Sequence, residues 1–264
     1  MRWLLLLIAS GLGLGLAAVG LTVLDEAEPA ELLPDLDQAA PFSISVVRVG
    51  DTYRLTFASA VDNVGRGPLL IEGSRPSRST VTMSVRQVVR REDGSTRVRV
   101  TGDRMRYVRA ETHSHWHLLG FERYQLRRSP GGGLVETDRK TGFCLGDRYD
   151  SRARVRIDGE PDEPVWTEDC GKGDPGLLEV REGISAGYGD DYVPRLEGQY
   201  VDITGVPTGR YVLVHRANPE GTLEESDYGN NASSVLLDLR RPAGDIPIVE
   251  VVARCPQADR CDAP

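Results

Sequence analysis

Three of the chain's four histidines fall within five residues, in Thr112-His113-Ser114-His115-Trp116-His117. In an extended run, side-chain direction repeats every second residue, so His113, His115 and His117 point to one face. Fully extended, their Cα atoms span roughly 13 Å. One ion with metal–nitrogen bonds of ~2.0 Å therefore needs the run to bend or bulge. Imidazole suits copper, zinc, iron and nickel, and three protein ligands leave positions open, as in a catalytic site. Two chemistries are open from these residues alone: hydrolysis by metal-activated water, or oxidation with copper and oxygen. The chain has no nucleophile elbow, His-Glu-x-x-His motif or phosphate-binding loop. His215, in Tyr211–Arg216, reads as a strand-face histidine rather than a fourth ligand.

The elements that must position this cluster are strands. β-branched runs alternate with turn residues: Ser43–Val49 and Tyr53–Phe57 around Gly50-Asp51, then Val81–Arg91 and Thr96–Val100 around Asp93-Gly94. Trp116–Arg127 reads as one long strand, followed by Gln199–Ile203, Arg210–Arg216, Ser233–Leu239 and Ile246–Val252. No long 3.6-residue periodicity or internal repeat is present. The pattern predicts an all-β fold, an antiparallel β-sandwich-like domain with long irregular loops, after an N-terminal apolar helix. Residues 144–198 are the least regular part, and long irregular segments of a β domain often carry function.

Residues 1–24 read as a signal peptide or membrane anchor: Arg2, then an apolar run, then the acids from Asp25 onward. Residues 25–41 read as an acidic, Pro-containing linker and 42–264 as the main domain. The protein is expected to be secreted or extracytoplasmic, touching a membrane only through the N-terminal segment if that stays uncleaved. With 264 residues the chain is long enough for a substantial core. Its net charge of -8 argues against a nucleic-acid partner. An even count of four cysteines in an exported chain predicts disulfides. Cys255 and Cys261 flank a short loop and pair, which leaves Cys144 with Cys170. Asp158, Glu160, Asp162 and Glu163 read as a solvated acidic loop rather than a calcium site.

Several ordered motifs together resemble the lysyl oxidase family. His113-Ser114-His115-Trp116-His117, followed by Phe121-Glu122-Arg123-Tyr124, is similar to its copper-binding segment. Lys140-Thr141-Gly142-Phe143-Cys144-Leu145 is similar to its Lys-x-x-Phe-Cys-Leu stretch. Gly183-Ile184-Ser185-Ala186-Gly187 with Asp190-Asp191-Tyr192, Gln199-Tyr200-Val201-Asp202-Ile203-Thr204, Asn218-Pro219 and Glu225–Asn231 continue the pattern. Leu33-Pro34-Asp35-Leu36 resembles the start of the family's catalytic domain, so the likeness covers about residues 32–238.

This resemblance implies that His113, His115 and His117 bind copper, and that Lys140 and Tyr192 form a lysine tyrosylquinone. It implies an exported amine oxidase that converts primary amines, peptidyl lysine among them, to aldehydes. Molecular oxygen is the acceptor, and ammonia and hydrogen peroxide are released. Asp190, Asp191 and Glu122 are the candidates for the base. The chain departs from the animal pattern at Thr112, Tyr188 and Gly198, where animal members carry cysteines. The competing readings are a non-catalytic metal-binding cell-surface β-sandwich and a three-His zinc hydrolase.

Overall fold

The computed structural model describes residues 28–110, 113–140, 142–152 and 155–261. The apolar segment 1–24, expected to be helical, lies outside the described residues. Among the described residues no helix is long and apolar enough to cross a membrane.

The strands, in chain order, are β1 (Glu31–Leu32), β2 (Leu36–Gln38), β3 (Phe42–Val49), β4 (Thr52–Asn63), β5 (Leu69–Ser74) and β6 (Thr82–Arg91). Next come β7 (Thr96–Arg109), β8 (Ser114–Leu119), β9 (Glu122–Arg128), β10 (Leu134–Thr137), β11 (Gly142–Phe143) and β12 (Tyr149–Asp150). The last six are β13 (Glu179–Ile184), β14 (Tyr188–Tyr192), β15 (Tyr200–Asp202), β16 (Gly209–Ala217), β17 (Ala232–Arg240) and β18 (Ile248–Cys255). Every pairing among them is antiparallel, in keeping with the all-β expectation.

Three sheets result. One runs β11-β8-β7-β6-β5-β13 with β1 on β6, a second runs β10-β9-β16-β17-β18, and a third runs β12-β14-β4-β15 with β2 and β3 also on β4. Period-2 patterning explains the first sheet: β6 turns Met83, Val85, Gln87 and Val89 inward and Ser84, Arg86 and Arg90 outward. β4 is buried continuously from Leu55 to Asn63, as befits a strand with partners on both edges. Leu55, Met83, Tyr124 and Val235 belong to one apolar core shared by the sheets.

Trp116–Arg127 is not one strand. Gly120, at φ +75°, and Phe121 separate β8 from β9, because a left-handed backbone at Gly120 turns the chain. β8 pairs with β7 while β9 pairs with β16, so this turn carries the histidine strand from one sheet to another. Part of the stretch read as a linker joins the sheets. Leu36 is fully buried in β2, and its N–H donates to Glu225 Oε2 at 2.9 Å. Burial of a leucine side chain stabilises by ~1.5–3 kcal/mol, enough to tie this segment to the domain.

The cysteines pair as expected, Cys144 with Cys170 and Cys255 with Cys261. In the acidic loop, Asp158 pairs with Arg66 and Asp162 with Arg156. No cation-binding group of residues forms there among the described residues.

Candidate active site

The bend that the three histidines require lies at the start of β8. His113 precedes the strand, its carbonyl accepting from the Ala110 N–H at 2.9 Å, while His115 and His117 follow on alternate positions. The ring centroids stand 4.8 Å (His113–His115), 5.2 Å (His113–His117) and 4.7 Å (His115–His117) apart. One ring nitrogen from each lies within 4.8 Å of the other two.

The opposite face of β8 is locked by Trp116. Its indole N–H donates to the Asp174 carbonyl at 3.1 Å, Tyr107 meets it edge-on, and Arg75 stacks over it at 4.6 Å. β11 lies beside β8, and a Cβ on Gly142 would fall 2.6 Å from the His117 Cβ, so glycine lets the two strands approach. Burial lowers the pKa of all three rings, to about 4 for His115 and about 2 for His117, with neighbouring histidines and Lys140 adding to the effect. Neutral rings keep the lone pairs that metal ligation uses.

Lys140 and Tyr192 meet beside this cluster although they are 52 residues apart in sequence. Lys140 Nζ lies 4.9 Å from the centroid of the Tyr192 ring and 5.0 Å from that of Phe143. Phe143 on β11 packs edge-on against Tyr192 on β14, with centroids 5.0 Å apart. Two backbone features fix Lys140. Asp138 bridges to Val201 and accepts the Tyr124 N–H at 2.8 Å, and Gly198, at φ +75°, packs against the Lys140 backbone. A Cβ at Gly198 would stand 2.7 Å from Lys140 Cα, so this departure from the animal cysteine leaves room for the lysine. Burial pushes the Lys140 amine below its ordinary value, against the pull of Glu122 and Asp190. Burial and the Asp190 charge push the Tyr192 phenol well up.

Of the three candidate bases, Asp190 is the one bonded to this pair. It is buried, accepts the Tyr192 hydroxyl at 2.6 Å, and has Arg148 Nε 3.7 Å away. Burial raises it to about 8. Asp191 is exposed on the cavity wall. Glu122 lies beneath the site, bonded to Ser59 at 2.9 Å and to Tyr124, and burial raises it to about 7. His215 is buried away from the cluster, between Phe57 and Tyr124, with Nδ1 3.2 Å from Ser59 Oγ. It is thus the core histidine its strand context suggests.

A cavity of about 170 Å³ joins these groups, lined by the three histidines, Lys140, Tyr192, Asp190 and Asp191. Arg148 and Leu196 also line it, and neither stood out in the sequence. Arg148 follows Cys144 by four residues, and the disulfide to Cys170 is the signal that holds this turn against the site. The donor set fits a borderline transition metal such as copper, and the lysine amine over a buried tyrosine ring fits a cross-link between the two.

Comparison with known proteins agrees with the motifs. The lysyl oxidase family model matches residues 167–243. Lysyl oxidase homolog 2 of Gallus gallus is 29% identical over 159 residues, covering 58% of this chain and 18% of that protein. The Homo sapiens homologs 3 and 2 are 30% and 31% identical over 140 residues, each match covering 53% of this chain and 16% of the relative. The chain is thus similar to the lysyl oxidase family, with the family-model match confined to residues 167–243. It spans less than a fifth of the length of these relatives. The family-model match contains Tyr192 but begins after Lys140 and the His113–His117 cluster, so their grouping rests on the geometry above.

Proposed function

We propose that this chain is an exported, copper-dependent amine oxidase that oxidises primary amines to aldehydes with release of ammonia and hydrogen peroxide. The observation that carries the reading is the Lys140 amine 4.9 Å from the Tyr192 ring, on the wall of the cavity that also holds three convergent imidazoles. Copper bound by His113, His115 and His117 would supply oxygen-dependent oxidation of the Tyr192 ring, and a lysine tyrosylquinone from Lys140 and Tyr192 would be the electron acceptor for the amine.

The roles assigned to the chain's own residues follow from their surroundings. Lys140 must be unprotonated to add to an oxidised ring, and burial depresses its pKa in that direction. Phe143, edge-on to Tyr192, keeps the ring in one plane against the amine. Asp190 anchors the phenol and is the group we assign to take up the substrate's α-proton. Its pKa of about 8 suits a group that holds a proton in one state and releases it in another. Leu196 and the buried aromatic wall limit water at the reacting centre. Two disulfides suit an oxidising compartment outside the cytosol.

The test is peroxide release from a primary amine by copper-loaded protein, paired with a redox-cycling stain for protein-bound quinone. Both signals are expected in wild type and neither in Tyr192→Phe. A copper-replete protein with neither signal would leave a metal-binding role in its place. Zinc in protein taken from its own export route, with ester or amide hydrolysis, would favour a hydrolase.

A further inference from the structure

A second cavity, of about 750 Å³, adjoins the first and shares Arg148 and Asp191 with it. The chain carries a net charge of -8, yet here Arg148, Arg152 and Arg254 converge on one space with Asp191 as the single carboxylate. Phe42 and Tyr149 give the space an apolar floor.

The three guanidiniums are not equally compensated. Arg152 meets the buried Asp62 at 2.8 Å. Arg148 has acids only at longer range, Asp190 at 3.7 Å and Asp169 at 3.9 Å, and burial tends to keep Asp190 protonated. Arg254 donates to the Pro41 carbonyl at 2.6 Å, and no carboxylate among the described residues lies within ion-pair range of it. One carbonyl uses one of the five N–H donors of a guanidinium, leaving the fork that matches a carboxylate. Asp190 thus stands beside Tyr192, Arg148 and Asp191 line both cavities, and Arg254 is the guanidinium of the second cavity without a paired carboxylate among the described residues.

We propose that the second cavity is a substrate subsite for a carboxylate carried on the same molecule as the reacting amine, with Arg254 as its specificity-determining residue. This rests on the amine-oxidase reading and names its substrate class: an ω-amino carboxylate of lysine type, as a free molecule or at a peptide C-terminus. The ammonium end passes the acidic wall, the methylenes lie along Phe42 and Tyr149, and the carboxylate reaches the guanidiniums. Arg254 is exposed near the end of β18. Its replacement therefore leaves the core untouched, whereas changing Arg152 would remove the cation paired with the buried Asp62.

The experiment compares Nα-acetyl-lysine with its N-methylamide, which lacks only the carboxylate charge. By peroxide release, wild type should favour the carboxylate in kcat/KM by about tenfold, the factor expected of one charge-assisted contact. The ratio should fall toward one in Arg254→Gln, chiefly through KM for the carboxylate, and below one in Arg254→Glu. A short peptide ending in lysine, with a free or amidated C-terminus, separates the two sources: preference in both pairs admits peptides, and preference in the small pair alone restricts the site to free molecules. A ratio near one in wild type, or an unchanged ratio in Arg254→Gln, overturns the subsite. Should wild type oxidise no amine, the amine-oxidase reading fails, and titration calorimetry with the same two compounds still decides. Tighter binding of the carboxylate, lost in Arg254→Gln, upholds the subsite, and equal binding overturns it.

Discussion

The Tyr192 hydroxyl donates to Asp190 Oδ2 at 2.6 Å, two positions back on the same strand, β14. Residues two apart on a strand share a face, so this contact is set by the Asp190-Asp191-Tyr192 spacing itself. It turns both side chains toward the cavity, while Asp191 between them is the exposed residue of the cavity wall.

Asp190→Asn should cost about a hundredfold or more in kcat, the lower range for loss of a positioned acid–base group. Burial raises Asp190 to about 8, so it gains its basic form as the pH rises through that value. Peroxide release by wild type should therefore climb across about 8, and the profile of Asp190→Asn should lose that limb. A retained limb would assign the proton transfer to another group.

His115→Ala should abolish stoichiometric copper. Its loss removes one of three donor nitrogens within 4.8 Å of one another, and should weaken binding beyond the 10–100-fold typical of an outer-sphere change. Metal content after dialysis measures this. Full copper in His113→Ala, His115→Ala and His117→Ala alike would contradict the ligand set.

Removing the Cys144–Cys170 bridge should damage stability and site together. The bridge closes a long loop, sequence separation 26, and its loss is expected to cost about 3 kcal/mol. Cys144 lines the cavity, and its carbonyl lies 3.4 Å from the Tyr192 hydroxyl. Cys255–Cys261 closes a much shorter loop, separation 6, far from these residues in the chain. Cys170→Ala should thus lower both Tm and peroxide release, and Cys261→Ala chiefly Tm. Equal activity loss in both would separate the bridge from the site.

Glu122 makes stability depend on pH. Burial raises its pKa from 4.5 to about 7, so between these values the folded chain holds a proton that the unfolded chain has released. Its contribution is therefore fully present below 4.5 and declines as the pH rises to about 7. Thermal unfolding of Glu122→Gln should show a flatter fall in Tm over that window than wild type. An unchanged slope would place the titration elsewhere.

The β-fold was legible from period-2 patterning, which β6 carries plainly, and the histidine face from the alternate positions of His113, His115 and His117. Two things were not legible. Trp116–Arg127 is rich in strand-forming residues on both sides of Gly120, and only the positive φ there and the separate pairings of β8 and β9 show that the chain changes sheets. Leu33-Pro34-Asp35-Leu36 looks like linker by composition, yet Leu36 is buried by contacts with residues near 225, too distant in sequence for any local pattern to show. The pairing of Lys140 with Tyr192 was readable through family resemblance alone, since neither residue's neighbours set it apart from an ordinary loop lysine or tyrosine. Arg254, brought to the second cavity by the last strand, left no local signal at all.

The central claim is tested most directly by the intact mass and peptide map of the mature, copper-exposed protein. The account predicts one cross-linked peptide pair containing Lys140 and Tyr192, with quinone absorbance, in wild type. Lys140→Arg should keep fold and copper but lack the cross-link, because arginine stays protonated and cannot add to the ring. Unmodified Lys140 and Tyr192 peptides from copper-replete wild-type protein, or wild-type peroxide release in Lys140→Arg, would contradict it.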